Sequence, residues 1–354
     1  MKERLIKIQS LLNDTEAALV TGDISITYLT GFPHSEGYVL VTKKNCSLLV
    51  DFRYIEAAEN TVTHMSVVSF TNPFDKINEI LVNDGVENLI IETDAVTLST
   101  YEDYKKNIKA NVVCDDKLSK LISELRIVKS SIEVEKLKTA QKIAEEAYLE
   151  VLNFIKVGVT EKEIAARLEY LMKLKGAEKV AFDLITVTGK KTSLPHGVPS
   201  DNKVQSGDFI TFDIGAVYDS YHSDMTRTVA IGSICDKQRE IYDIVLKAHY
   251  TGLEAVRAGV SGFDVDKASR DVIREAGYGE CFGHSTGHGV GLEIHEAPYA
   301  SMKSKDILKA GMTLTVEPGI YLPGQFGVRI EDTVLVTENG YETFASMPKE
   351  LIIL

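Results

Sequence analysis

What this chain has little of narrows its function first. None of its 354 residues falls in an apolar run approaching the ~18 that a membrane span needs, so no partner role for a membrane is expected. The opening residues, Met1-Lys2-Glu3-Arg4-Leu5-Ile6-Lys7, mix charge among apolar side chains at helical spacing, which reads as neither signal peptide nor anchor. Cysteine is sparse: Cys46, Cys114, Cys235 and Cys281 lie far apart and form no CxxC pair. That suits the reduced thiols of a cytoplasmic protein better than a disulfide framework or a zinc ribbon. Basic residues are outnumbered, 39 Lys and Arg against 52 Asp and Glu, and no basic cluster offsets the formal charge of −13. Nucleic acid is therefore not expected as a main partner, because phosphate binding requires a basic face.

What is present is an ordinary globular composition on a chain long enough for two domains. The first part, residues 1–125, alternates strand-like runs (Ala17-Ala18-Leu19-Val20, Gly37-Tyr38-Val39-Leu40-Val41, Ser47-Leu48-Leu49-Val50, Asn88-Leu89-Ile90-Ile91) with amphipathic segments such as 76–81. This is an α/β pattern with a mostly buried sheet. Its histidines, His34 and His64, join no cluster of ligands, so this half reads as architectural. A second domain, 126–354, is announced by two capping boxes, Ser130-Ser131-Ile132-Glu133 and Thr160-Glu161-Lys162-Glu163. The first predicts a helix running to Phe154 and ending at Gly158, the second a helix stopping near Gly176; both carry the apolar stripe of scaffold helices.

Beyond these helices an internal echo appears. Ile210-Thr211-Phe212-Asp213-Ile214-Gly215 is matched by Leu314-Thr315-Val316-Glu317-Pro318-Gly319, each with a carboxylate two residues before a glycine. Each is followed by a second acidic strand, containing Asp224 in the first copy and Glu331 in the second. Two copies of one unit would direct their acids toward a shared pseudo-two-fold axis. Asp213 and Asp224, separated by a turn that includes Asp219-Ser220, fit adjacent strands of a hairpin. Four acids in sheet interiors would repel one another and resist desolvation unless cations neutralise them.

Histidine gathers in the same half. His284, His288 and His295 fall among Gly283, Gly287, Gly289 and Gly291, and His196 sits in Ser193-Leu194-Pro195-His196-Gly197. The spacing is not HExxH and the glycines oppose a helix, which argues against a zincin. One histidine with four carboxylates is an oxygen-rich set too negative for a single ion. Two divalent ions roughly 3.5 Å apart would suit it and would activate water at neutral pH without a serine or cysteine nucleophile.

In order and context, Asp213, Asp224, His288, Glu317 and Glu331 resemble the metal ligands of the pita-bread metallopeptidases. The strings Leu-Pro-His-Gly (194–197), Ser-Asp-Met-Thr-Arg-Thr (223–228), Gly-His-Gly-Val-Gly-Leu-Glu-Ile-His-Glu (287–296), Val-Glu-Pro-Gly-Ile-Tyr (316–321) and Gly-Val-Arg-Ile-Glu-Asp (327–332) resemble the Xaa-Pro branch, aminopeptidase P and prolidase. Tyr28-Leu29-Thr30-Gly31-Phe32 and Asp51-Phe52-Arg53-Tyr54 resemble that branch's creatinase-like N-terminal domain. The resemblance implies an α+β catalytic domain with a curved antiparallel sheet and helices outside. It also implies two divalent ions, Mn²⁺ first with Co²⁺, Fe²⁺ or Zn²⁺ as alternatives. Glu317 would be ligand and general base, His196 and His295 would bind the scissile carbonyl, His284 would sit by the proline pocket, and Arg329 would anchor the surrounding carboxylates. Small proline-containing peptides are the implied substrates and a homodimer the implied assembly.

One departure bears on specificity. Some prolidases carry an arginine four residues after the second catalytic histidine, where it holds a dipeptide's carboxylate; here that position is Tyr299. The sequence therefore ranks an Xaa-Pro aminopeptidase first and a strict Xaa-Pro dipeptidase second. An inactive peptide-binding relative ranks last, since none of the five ligand positions is broken.

Overall fold

Short runs of branched apolar residues, too brief for helices, become the central strands of a sheet. The structure, a computed structural model, describes residues 1–33 and 36–354 and divides into two compact units, Met1–Arg126 and Ile127–Leu354. In the first, β1 (Glu16–Val20), β2 (Tyr38–Thr42), β3 (Cys46–Val50), β4 (Ser66–Ser69), β5 (Asn88–Ile91) and β6 (Asn111–Val113) pair in the order β4-β3-β2-β1-β5-β6. The β1/β2 and β2/β3 pairs are antiparallel and the rest parallel. Ile77 and Leu81 of helix Pro73–Asp84 and Tyr104 of helix Leu98–Asn107 close the core over Ala17, Leu19, Leu40 and Leu49. The four strands read from sequence are the inner four. The two that sequence did not announce, β4 and β6, are the edges, where side chains are half exposed and the apolar signal is weak. His64 Nε2 lies 2.8 Å from the Leu29 carbonyl, a structural pairing; His34 lies outside the described residues.

In the second unit both capping boxes open helices. The Glu133 carboxylate accepts from the N–H and hydroxyl of Ser130 at 2.8 and 2.6 Å, and Glu163 does the same for Thr160 at 2.7 and 2.8 Å. The helices span Ser131–Leu152 and Glu161–Leu174. The first stops short of Phe154 because Asn153 and Phe154 switch to i→i−3 bonds on Glu150 and Val151, which tighten the chain out of the α-helix. Ala144, Tyr148, Ile164 and Leu168 from these helices pack on a sheet face bearing Ile210, Phe212, Met225 and Val229.

That sheet and its attachments comprise β7 (Lys179–Val180), β8 (Ile185–Thr188), β9 (Phe209–Ile214), β10 (Ala216–Tyr218), β11 (Tyr221–His222), β12 (Met225–Ala230), β13 (Gly287–Gly289), β14 (Glu296–Ala300), β15 (Thr313–Val316), β16 (Gly319–Leu322), β17 (Phe326–Arg329), β18 (Glu331–Val336) and β19 (Tyr341–Thr343). The main sheet runs β15-β18-β12-β9-β8, antiparallel throughout, with β19 beside β18. The β9/β12 and β15/β18 pairs are the two sequence repeats, and they join where Met225 pairs with Asp332 and Thr226 with Glu331. Met225 follows Asp224 as Asp332 follows Glu331, so equivalent residues of the two copies face each other, as a two-fold relation requires. Helix Asp236–Ala255 adds Ile241, Val245 and Ala248 to a second core with Phe209, Ile320 and Val328. Among the described residues, no helix is long and apolar enough to cross a membrane.

Candidate active site

Antiparallel register sets the site. Asp213 on β9 lies opposite Thr226 on β12, which lies opposite Glu331 on β18. Directly opposed residues share a face, so three strands present Asp213, Thr226 and Glu331 in one row. Asp224 stands at the break between β11 and β12. The chain returns there through Asp219 and Ser220, both left-handed at φ 45° and 68°, the backbone of a tight hairpin turn. At Gly215 a Cβ would lie 2.0 Å from the Ser223 carbonyl oxygen, so only glycine lets the two strands close beside Asp224. Glu317 follows β15, and its N–H donates to Thr286 O at 2.7 Å. Gly287 meets β15 so closely that a Cβ would sit 1.8 Å from Thr315 O, which sets the following His288 against the carboxylates.

His288 Nε2 lies 3.6 Å from Asp224 Oδ2 and 3.5 Å from Glu317 Oε1. Its Nδ1 lies 3.0 Å from Gly289 O; the ring proton is committed there and Nε2 turns a lone pair toward the acids. Asp224, His288 and Glu331 each offer a donor atom within 4.8 Å of the others, a metal-binding triad. Burial, then repulsion from Asp213, pushes the Glu331 carboxyl up to about 8. Burial followed by the neighbouring Glu331 charge also raises Asp224 and Glu317. Burial lowers His288 to about 4, so it is neutral, and able to ligate, at physiological pH.

The donor set fits metal ions. Arg329 is the one Lys or Arg among the described residues lining the cleft, and its Nη2 donates to Asp213 Oδ2 at 2.6 Å. Asp213 Oδ1 is buried and has no hydrogen-bond partner among the described residues. An uncompensated buried carboxylate oxygen beside three further acids calls for cations.

A cleft of about 340 Å³ is lined by all nine residues singled out from sequence, Asp213, Asp224, His288, Glu317, Glu331, His196, His295, His284 and Arg329, with Phe182, Ile185, Pro195 and Ile294 as its apolar wall. His295 stacks edge-to-face on His288, centroids 4.3 Å apart. Arg329 uses four of its five N–H donors here: besides Asp213 it donates to the Tyr321 hydroxyl (2.7 Å), Thr226 Oγ1 (3.1 Å) and Pro195 O (3.3 Å). His284 Nδ1 lies 2.8 Å from Ser285 O, so its Nε2 accepts from the Tyr321 hydroxyl at 2.9 Å. Sequence reasoning quoted Tyr321 in a motif but gave it no role, and gave none to Thr226, whose hydroxyl donates to Glu331 Oε2 at 2.7 Å. Their signal was only their place beside the acids. Tyr299 is not among the described residues lining the cleft.

Comparison with known proteins agrees with this geometry. Residues 135–338 match the model of metallopeptidase family M24 and residues 4–128 that of the creatinase/prolidase N-terminal domain. An Xaa-Pro dipeptidase of Pyrococcus furiosus is 43% identical over 356 residues, covering 99% of this chain and 100% of the relative. A solved Xaa-Pro dipeptidase from Bacillus anthracis superposes with a TM-score of 0.95 at 42% identity, covering 99% of both chains. An X-Pro aminopeptidase structure from Thermotoga maritima gives a TM-score of 0.90 at 37% identity, covering 98% of this chain and 99% of that one.

Proposed function

The chain belongs to metallopeptidase family M24, with a creatinase/prolidase N-terminal domain ahead of its catalytic unit, and from that premise we propose that it hydrolyses Xaa-Pro dipeptides. The observation that carries the reading is the buried carboxylate and histidine set at the base of a small cleft. Dipeptidases among the relatives move the dipeptide ahead of the longer peptide that the sequence ranked first. The aminopeptidase reading keeps one structural support. Arg329, the one Lys or Arg lining the cleft among the described residues, is paired with Asp213 and bonded to Tyr321 and Thr226, so the cleft lining holds no second cation for a dipeptide's carboxylate.

In this reading Asp213, Asp224, His288, Glu317 and Glu331 hold two divalent ions, Mn²⁺ first and Co²⁺, Fe²⁺ or Zn²⁺ otherwise. When bound, the ions supply Lewis acidity and an activated water. Glu317, on the cleft wall, accepts the proton released on attack and passes it toward the leaving proline nitrogen. His196 and His295, on the cleft wall, donate to the carbonyl oxygen as charge builds on it. Arg329 fixes Asp213 from behind, and Tyr321 holds His284 to one tautomer beside Glu317, whose Oε2 is 3.9 Å from His284 Nδ1. A homodimer belongs to the same reading and is checked by sedimentation.

The test is hydrolysis by chelator-stripped enzyme reloaded with Mn²⁺, using an Xaa-Pro dipeptide and a longer peptide with proline second. Cleavage of the dipeptide alone supports the proposal. Cleavage of the longer peptide alone transfers it to the aminopeptidase reading. Activity toward neither, or activity that survives Asp224→Asn, overturns the two-ion mechanism.

A further inference from the structure

His196 is carried on a loop that leaves β8 at Thr188 and returns at Ser200, and both ends meet one buried side chain. Glu161, the first residue of helix Glu161–Leu174, is completely buried and does not line the cleft. Its Oε1 accepts from the Thr188 N–H at 2.8 Å. Its Oε2 accepts from the Ser200 N–H at 2.8 Å, the Ser200 hydroxyl at 2.7 Å and Lys191 Nζ at 3.0 Å. The helix's first two N–H groups add bonds to Asn202 O and Ser200 O at 3.0 and 3.1 Å.

Four donors converge on two oxygens, and only an ionised carboxylate accepts from all of them. The loop is also held at Thr188 by pairing with Ile210 of β9 and by the Thr188 hydroxyl donating to Asp208 Oδ2 at 3.0 Å, and on the cleft side by Gly327 N–H donating to Thr192 Oγ1 at 2.8 Å and Arg329 Nη1 to Pro195 O at 3.3 Å. Its Ser200 end is thus fixed to a helix, its Thr188 end to that helix and to β9, and its crest to the strand that carries Arg329. Lys191 turns the same cation to Val198 O, two residues beyond His196, which binds the crest to the base.

We propose that Glu161 is a positioning residue for catalysis, closing the base of the 188–200 loop so that His196 meets the scissile carbonyl at a fixed distance. The inference rests on the carbonyl-binding role given to His196 above. A group displaced by about 1 Å in such a site loses up to about a hundredfold in rate. Metal affinity should stay untouched, because the five donors stand on other segments.

The experiment is a double-mutant cycle on the Mn²⁺-loaded full chain with Glu161→Gln, His196→Ala and both together, with Mn²⁺ affinity measured by calorimetry for each. Glu161→Gln places an amide NH₂ where an acceptor is needed. We expect it to lower kcat by about tenfold to a hundredfold, with Mn²⁺ affinity within about twofold of wild type. In the His196→Ala background the same change should add less than about twofold, since both act through one group. Wild-type kcat in folded Glu161→Gln, losses that multiply in the double variant, or a parallel fall in Mn²⁺ affinity would each overturn the proposal. If His196→Ala itself leaves kcat unchanged, the carbonyl-binding role fails and takes this inference with it; if His196→Ala is damaged and Glu161→Gln is not, only this inference fails. Should Glu161→Gln not fold, Ser200→Ala, which removes one donor of the four, is expected to lower kcat in the same pattern; an unchanged kcat there overturns it.

Discussion

Removing a carboxylate from the centre should make the metal-free protein more stable. Glu331 is buried with Asp213, Asp224 and Glu317 around it, and its carboxyl rises from 4.5 to about 8 through burial first and Asp213 next. A raised acid of this kind contributes stability that is fully present below its unfolded value and is lost as pH rises through the folded one. Between about pH 5.5 and about pH 8 the loss from this one group is about 3 kcal/mol. His284 and His288, lowered to about 4 by burial, push the other way over the same interval. Comparing Glu331→Gln with wild type cancels those terms. The metal-free variant should therefore gain on metal-free wild type by about 3 kcal/mol across the interval, or about 6–12 °C in Tm for a unit of this size. The assay is thermal unfolding by circular dichroism after exhaustive chelation, at both pH values. A Tm difference that stays constant, or that shrinks as pH rises, refutes the reasoning. Asp332 stays out of the window: burial opposes its ionisation, but Arg227 and His249 overcome this and hold its carboxyl below the usual range, so its contribution is lost only as pH falls well below 5.5.

Asp224→Asn should reduce bound Mn²⁺, counted by elemental analysis, and lower kcat by more than the roughly hundredfold that loss of a supporting partner costs; wild-type metal content with full activity would contradict it. Tyr321→Phe removes the hydroxyl between Arg329 and His284 and should cost about 1–3 kcal/mol of stability with kcat falling more than KM changes; unchanged kcat and an unchanged pH profile would show that the hydroxyl orients nothing. Leu168→Ala, in the core between helix and sheet, should cost about 2–5 kcal/mol, read as a lower urea midpoint, while metal content at room temperature stays as in wild type.

Much of this centre was legible because its parts are local. Asp213 stood out as a charge inside an apolar strand, the Asp219-Ser220 turn gave the hairpin, and the echo of 210–215 in 314–319 pointed to a shared axis, at which β12 and β18 pair. The inner strands of the N-terminal unit read clearly since both of their faces are covered, and its edge strands did not since theirs are half wet. What stayed hidden depends on partners distant in the chain. Glu161 looked like any acid in the first turn of a helix, where the dipole alone explains it, and nothing local shows that Ser200 and Lys191 converge on it. Thr226 and Tyr321 were likewise unremarked, because a hydroxyl acquires its role only from the groups that folding brings within reach.

The meeting of the two hairpins at Met225 and Asp332 has a consequence for the order of events during synthesis. Asp213 and Asp224 emerge from the ribosome roughly a hundred residues before Glu317 and Glu331, and each pair alone supplies only half of the carboxylates. Only when β18 docks on β12 do the two half-sets line one cleft, so the complete donor set belongs to the chain through Glu331. A nascent or truncated copy ending before Glu331 therefore lacks one member of the Asp224, His288 and Glu331 triad, however well its first hairpin has formed.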